Sequence, residues 1–275
     1  MGFVRHTGFA IVACLIWAGA ALAADRAKTE EFLEITGFDV ALESIKLSAS
    51  SAPQMLGLDA EDFGSEWKRL TNEVFEVEVM HDLALDILEQ TLTDELLKHA
   101  TDFYTSDLGK RLVVVENQSH MEEDNALKDE SGAAIIEGLE RLESPRLEYF
   151  QRMNAASDSA GTSIRAIQEV QVRFLMAAAA AGVIDLPMDE PDLREMLAND
   201  QEEMRAGIEQ SALEGAAYTY QAFADEEVLA YAEALEHPDM REVYDLMNAV
   251  QYEVMANRFE ALAQAMSRLQ PSQDL

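Results

Sequence analysis

Cysteine is almost missing from this chain. Cys14 is the single one among 275 residues, and it falls in an N-terminal stretch that reads as a cleaved leader. Without it the protein has no thiol nucleophile, no thiolate metal site and no disulfide. Stability must then come from buried apolar surface, for which a chain of this length suffices. Basic residues are scarce as well: 20 Lys and Arg stand against 53 Asp and Glu, a formal net charge of −33. Nucleic acid and bare anionic membrane would repel such a chain, and self-repulsion keeps it soluble. The acidity fits a hydrated surface, as in a salty habitat. A calcium or cationic-partner site is the competing reading, but the sequence has no D-x-D-x-D-G loop.

Several signatures of chemistry are also missing. No Gly-rich phosphate loop follows a strand, and no G-x-S-x-G elbow occurs. Histidine outside the leader is limited to His81, His99, His120 and His237. Glu78-x-x-His81 has the spacing used in helical di-iron bundles, but no second Glu-x-x-His accompanies it. Glu95/His99, Glu116/His120 and Glu233/His237 are i, i+4 pairs of the kind found on helix surfaces. The 13 methionines recur at helical spacing among leucines and aromatics, not in Met-x-Met clusters, which is the pattern of core packing. No metal and no cofactor are expected.

Long apolar runs are confined to the start of the chain. Arg5 and His6 precede an apolar stretch, Thr7 to Ala20, and Ala21-Leu22-Ala23 is a small-x-small cleavage site. Residues 1–23 therefore read as a secretory signal peptide, which implies a periplasmic or secreted protein. Ile11-Val12-Ala13-Cys14 loosely resembles a lipoprotein box, but the apolar run continues past Cys14, so lipidation is not favoured. No later segment has 18 uninterrupted apolar residues, and no membrane span is expected after signal removal.

What the chain does have is helical periodicity. It is clearest from Leu92 to Asn117. Thr93 is a good N-cap, with Asp94 and Glu95 in the first turn, where the helix dipole favours negative charge. Leu96, Leu97, Ala100, Phe103 and Tyr104 repeat on one face. Ser106 then caps a second helix with a stripe at Leu108, Leu112 and Val115. Gly109 sits where a better helix former would be preferred by roughly 1 kcal/mol. A glycine there implies that the second helix lies directly against Phe103 or Tyr104.

Phe103-Tyr104-x-Ser106-x-x-Gly109-Lys110, preceded by Thr93-Asp94-Glu95-Leu96-Leu97, resembles the F-Y-x-S-P-x-G-K/R signature of an exported bacterial family, domain of unknown function 2059. Asp107 stands where that signature has proline. The resemblance implies an all-helical exported domain and implies no activity. A fainter copy runs from Ala224 to Ala249. At an offset of 131 residues, Asp94, Glu95 and Asn117 meet Asp225, Glu226 and Asn248. Phe103, Ser106 and Gly109 meet Ala234, His237 and Met240, so any site at the first corner is lost from the second. We read the pair as an ancient duplication.

The expected architecture is thus all-α, a helical bundle of two imperfect helix–corner–helix repeats. Residues 24–153 form the N-terminal repeat, 154–163 a small polar linker, 164–269 the C-terminal repeat and 270–275 a polar tail. Val74 to Met80 alternates like a strand but has no partner strand, and is assigned to helix. Ser131 is expected to cap a helix carrying Ile135, Leu139 and Leu142. The corner is the first surface to test: the helix start at Ser106, with Lys110 and Arg111 beside it, can hold an anion, while Phe103, Tyr104 and Gly109 shape the bend. The competing reading is that Lys110 and Arg111 pair with neighbouring acids. The leading functional expectation is a non-catalytic exported protein binding an unknown protein partner or envelope component. The alternatives are an exported hydrolase using paired carboxylates and a structural bundle without a ligand.

Overall fold

The computed structural model describes residues 26–58, 64–158, 161–199 and 201–269, and all structural statements concern these. The leader expected at 1–23 and the polar tail expected at 270–275 lie outside them. Most described residues are helical, and no strand occurs among them. Helix α1 (26–36) turns into α2 (Phe38–Ser48) at Gly37, whose φ of 78° is left-handed. A 3₁₀ turn, Ala49–Ser51, leads to the short α3 (Ala52–Met55). Then follow α4 (Gly64–Val74), α5 (Val77–Thr91), α6 (Asp94–Tyr104), α7 (Asp107–His120), α8 (Asn125–Arg141) and α9 (Arg146–Ser157). The chain continues through α10 (Ser163–Ala180), α11 (Glu190–Asn199), α12 (Gln201–Thr219), α13 (Asp225–Leu235) and α14 (Pro238–Met266).

The strand-like alternation at Val74–Met80 is helical, as assigned, at Val74 and from Val77 onward, and is broken only at Phe75 and Glu76. α4 ends at Val74, Phe75 plugs the core at 1% exposure, and Glu76 takes an extended conformation before α5 begins. α8 starts earlier than its stripe suggests. Asp124, not Ser131, is the cap, accepting a 2.9 Å bond from the Leu127 N–H. Asn154–Ser157, within the stretch expected to be a linker, form the last turn of α9. Beyond it Asp158 accepts from the Thr162 N–H at 2.9 Å; residues 159–160 lie outside the described set.

The long α14 is the hub. It packs against α2, α4, α5, α6, α9, α10 and α13. Its buried residues, among them Met240, Val243, Met247, Val250, Val254, Phe259 and Leu262, lie on more than one face, as expected of a helix surrounded by others. One contiguous apolar core joins it to Phe32, Leu42, Phe75, Leu88, Tyr104, Phe150 and Phe174, drawing on both sequence halves. Arginines stitch the helices outside this core. Arg173 of α10 bonds Glu253 and Glu260 of α14, and Arg26 of α1 bonds Asp82, Asp86 and Glu89 of α5.

The two corners have matching frames. α6 and α13 are each 11 residues long and begin at Asp94 and Asp225. α7 and α14 begin at Asp107 and Pro238, at the same offset. The chemistry of the bends differs. Ser106 Oγ accepts from the Gly109 N–H at 3.0 Å, whereas His237 Nδ1 accepts from the Asp239 N–H at 3.3 Å.

Candidate ligand cavity

The helices do not close completely over the core. A cavity of about 770 Å³ lies among α2, α7, α9, α10, α12 and α14. Phe38, Ala41, Met153, Ile164, Ile208, Leu213 and Ala216 supply its apolar wall. Polar groups converge from α7, α13 and α14 and from the end of α12: Glu116, Asn117, Tyr220, Tyr231, Tyr244 and Asn248. Lys128, Arg205 and Glu209 add charge elsewhere on the lining. The size and the mixture are those of a small-molecule site.

Glu116 is the electrostatic centre. Position 116 follows Leu112 by one helical turn, on the inward face of α7, and Leu112 is 1% exposed. The surface that Glu116 keeps faces the cavity, so it is half-buried by area yet largely surrounded by protein. Burial pushes its carboxyl above the ordinary carboxylate range, while hydrogen bonds from Tyr220 and Tyr231 pull the other way. The Tyr220 hydroxyl donates to Glu116 Oε1 at 2.7 Å.

Behind Glu116 the tyrosines form a second layer. The hydroxyls of Tyr104, Tyr231 and Tyr244 lie 3.1, 2.5 and 2.8 Å apart around a triangle. Burial raises all three phenols, and Tyr220 with them, so they act as neutral donors. Phe103 stacks on Tyr231, with ring centroids 5.8 Å apart and planes at 6°. One more group is notable: Asn117 Oδ1 is buried with no hydrogen-bond partner among the described residues. It presses on the α1–α2 turn, where a Cβ on Gly37 would lie 2.5 Å from it.

The corner residues divide into two groups. Phe103, Tyr104 and Gly109 are internal. A Cβ on Gly109 would sit 2.4 Å from the Phe103 carbonyl oxygen and 2.6 Å from the Tyr104 Cα, so α7 rests on the backbone of α6. Ser106, Lys110 and Arg111 are exposed and lie away from the cavity. The Ser106 oxygen is engaged by Gly109. Arg111 bonds Glu227 at 2.5 Å and lies over the Phe223 ring, 5.3 Å from its centroid. Lys110 has no ion pair among the described residues. A cavity site was not foreseen from sequence. Its one legible sign was Glu116, a carboxylate in register with the apolar stripe of α7, which the surface-pair reading of Glu116 with His120 passed over.

Fold and cavity together define an all-helical protein with a pocket lined by tyrosines around a single deep carboxyl. The family model described as an uncharacterized protein conserved in bacteria, domain of unknown function 2059, matches residues 78–137. The chain resembles that family from α5 into α8, a region that supplies Tyr104, Gly109 and Glu116 but not Tyr220, Tyr231 or Tyr244. No curated protein and no solved structure matches the chain.

Proposed function

We propose that this is an exported, non-catalytic binding protein that takes a small amphipathic molecule into the cavity. The observation that carries this reading is the cavity itself: about 770 Å³ with apolar walls and one polar end, where Glu116 is held by Tyr220. A molecule with an apolar body and a hydrogen-bonding head matches that division. The leader expected at residues 1–23 supports export, and an envelope component fits the expected compartment. The groups bonded to Glu116 are tyrosine hydroxyls rather than a second acid, which supports binding over hydrolysis by paired carboxylates. In this reading the two corners descend from one duplicated unit, and the second supplies Tyr231 and Tyr244 to a site centred on the first.

The test is titration of the purified protein with N-phenyl-1-naphthylamine, a neutral amphipathic fluorophore. Saturable fluorescence enhancement is expected. Ala212→Trp, which fills the cavity from an exposed position on α12, is expected to abolish it. No saturable enhancement, or equal enhancement in the folded variant, would overturn the proposal.

A further inference from the structure

Outside the cavity, His99 of α6 and His237 and Asp239 at the start of α14 meet where the two corners pack. The imidazole rings stack with centroids 4.2 Å apart and planes at 23°. Nδ1 of His99 lies 3.8 Å from Asp239 Oδ2, and Nδ1 of His237 lies 3.9 Å from the same oxygen. One donor atom from each residue falls within 4.8 Å of the other two. In sequence these histidines pair with Glu95 and Glu233; the tertiary structure gives them each other and a shared carboxylate.

We propose that His99, His237 and Asp239 bind one divalent first-row transition ion, with water completing the shell. Two imidazoles and a carboxylate suit zinc and its neighbours, whereas calcium and magnesium require oxygen donors. Bonds of about 2.0–2.1 Å in a tetrahedral shell put donors roughly 3.3 Å apart. The two imidazole–carboxylate separations of 3.8 and 3.9 Å must therefore close by about half an ångström, and the imidazole donors, within 4.8 Å of each other, by at most about 1.5 Å. The structure permits that movement. The His237 side chain is half exposed, and the one hydrogen bond it makes here, to the Asp239 N–H, is a long 3.3 Å. Because His99 belongs to the first corner and the other two ligands to the second, the ion ties the corners together, and binding stabilises the fold.

The test uses chelator-treated protein, with Zn²⁺ and Ca²⁺ titrated by calorimetry and followed by thermal unfolding. His99→Gln removes one ligand. His237→Asn removes another while keeping a side chain that caps α14. Asp239→Asn serves as a third variant if an imidazole variant misfolds. We expect Zn²⁺ to bind one per chain and to raise Tm. Each variant should weaken that binding by about tenfold or more, and Ca²⁺ should give no rise that the variants remove. Absence of zinc binding overturns the site. So does binding of undiminished affinity in any folded variant, which would put the ion on the carboxylates of this acidic surface.

Discussion

The hydroxyl of Tyr104 lies 2.5 Å from that of Tyr244, a residue 140 positions further along the chain. Tyr231 completes the set, 3.1 Å from Tyr104 and 2.8 Å from Tyr244. Tyr104 is the tyrosine of the F-Y-x-S-x-x-G-K stretch, and its partners come from α13 and α14. Burying three hydroxyls is tolerable because each bonds another; alone, each would carry an unmet desolvation cost. The triangle therefore locks the first corner onto the second and holds Tyr231 in place on the cavity wall that it shares with Glu116.

Tyr104→Phe should destabilise the protein by about 1–3 kcal/mol, because Tyr231 and Tyr244 each lose a buried partner. Urea unfolding measures this. The apolar ring stays, so a cost below a few tenths of a kcal/mol would mean that water or a rearranged triangle replaces the lost hydroxyl.

Two glycine substitutions should act in opposite directions. Gly109→Ala places a methyl 2.4 Å from the Phe103 carbonyl oxygen, against backbone that cannot swing aside. The expected cost is about 1–3 kcal/mol or more, with α7 displaced from α6. Gly207, inside α12, has open space around its missing Cβ. Gly207→Ala should stabilise by about 0.5–1 kcal/mol, since alanine is the better helix former. Chemical denaturation of both variants distinguishes crowding from propensity.

Arg146→Met tests a staple that periodicity does not reveal. Arg146 is 9% exposed, and its guanidinium donates to the Tyr220 carbonyl at 2.6 Å, the Phe223 carbonyl at 2.8 Å and Asp225 at 2.7 Å. It thus holds the α12–α13 turn against α9. Losing it leaves the Phe223 carbonyl without that donor, while the Tyr220 carbonyl keeps the Phe223 N–H at 3.0 Å, for about 1–3 kcal/mol. The partly exposed Asp225 adds little, because water can replace its partner. A melting curve and protease sensitivity at the α12–α13 turn provide the measurement.

Glu116 should make stability depend on pH. Its carboxyl is raised in the folded state, so the native protein holds that proton more tightly than the unfolded chain does. Below the ordinary carboxyl range the group is protonated in both states and costs nothing. As pH rises from there through the raised value, the unfolded state ionises first and native stability falls. Glu116→Gln removes this dependence. Wild type and variant should differ least near about pH 4, with the variant gaining on the wild type toward about pH 8. A constant difference across that range, measured by urea unfolding, would place Glu116 in contact with bulk water.

Much of the helix layout was legible in the chain because its causes are local. Thr93 and Ser106 act as caps by accepting from Leu96 and Gly109, bonds closed within one turn. The α6–α7 bend depends on Gly109 for the same reason: the clash it avoids is with residues just preceding it. The start of α8 was misplaced because Asp124 caps a first turn with no apolar stripe. There Gly132 reports contact with α12 instead, its absent Cβ only 2.3 Å from the Glu214 carbonyl oxygen. Likewise no local pattern distinguishes Glu116 from the acids of the surface.

By itself, then, the sequence determined an all-helical chain, its main bends and its acidic, thiol-poor character, since capping, periodicity and charge act over a turn or two. Tertiary structure alone decided that α14 is the hub, that four tyrosines surround one carboxyl beside a cavity, and that His99 faces His237. Those outcomes depend on which helix faces meet, and that is settled by burying apolar area contributed from the whole chain.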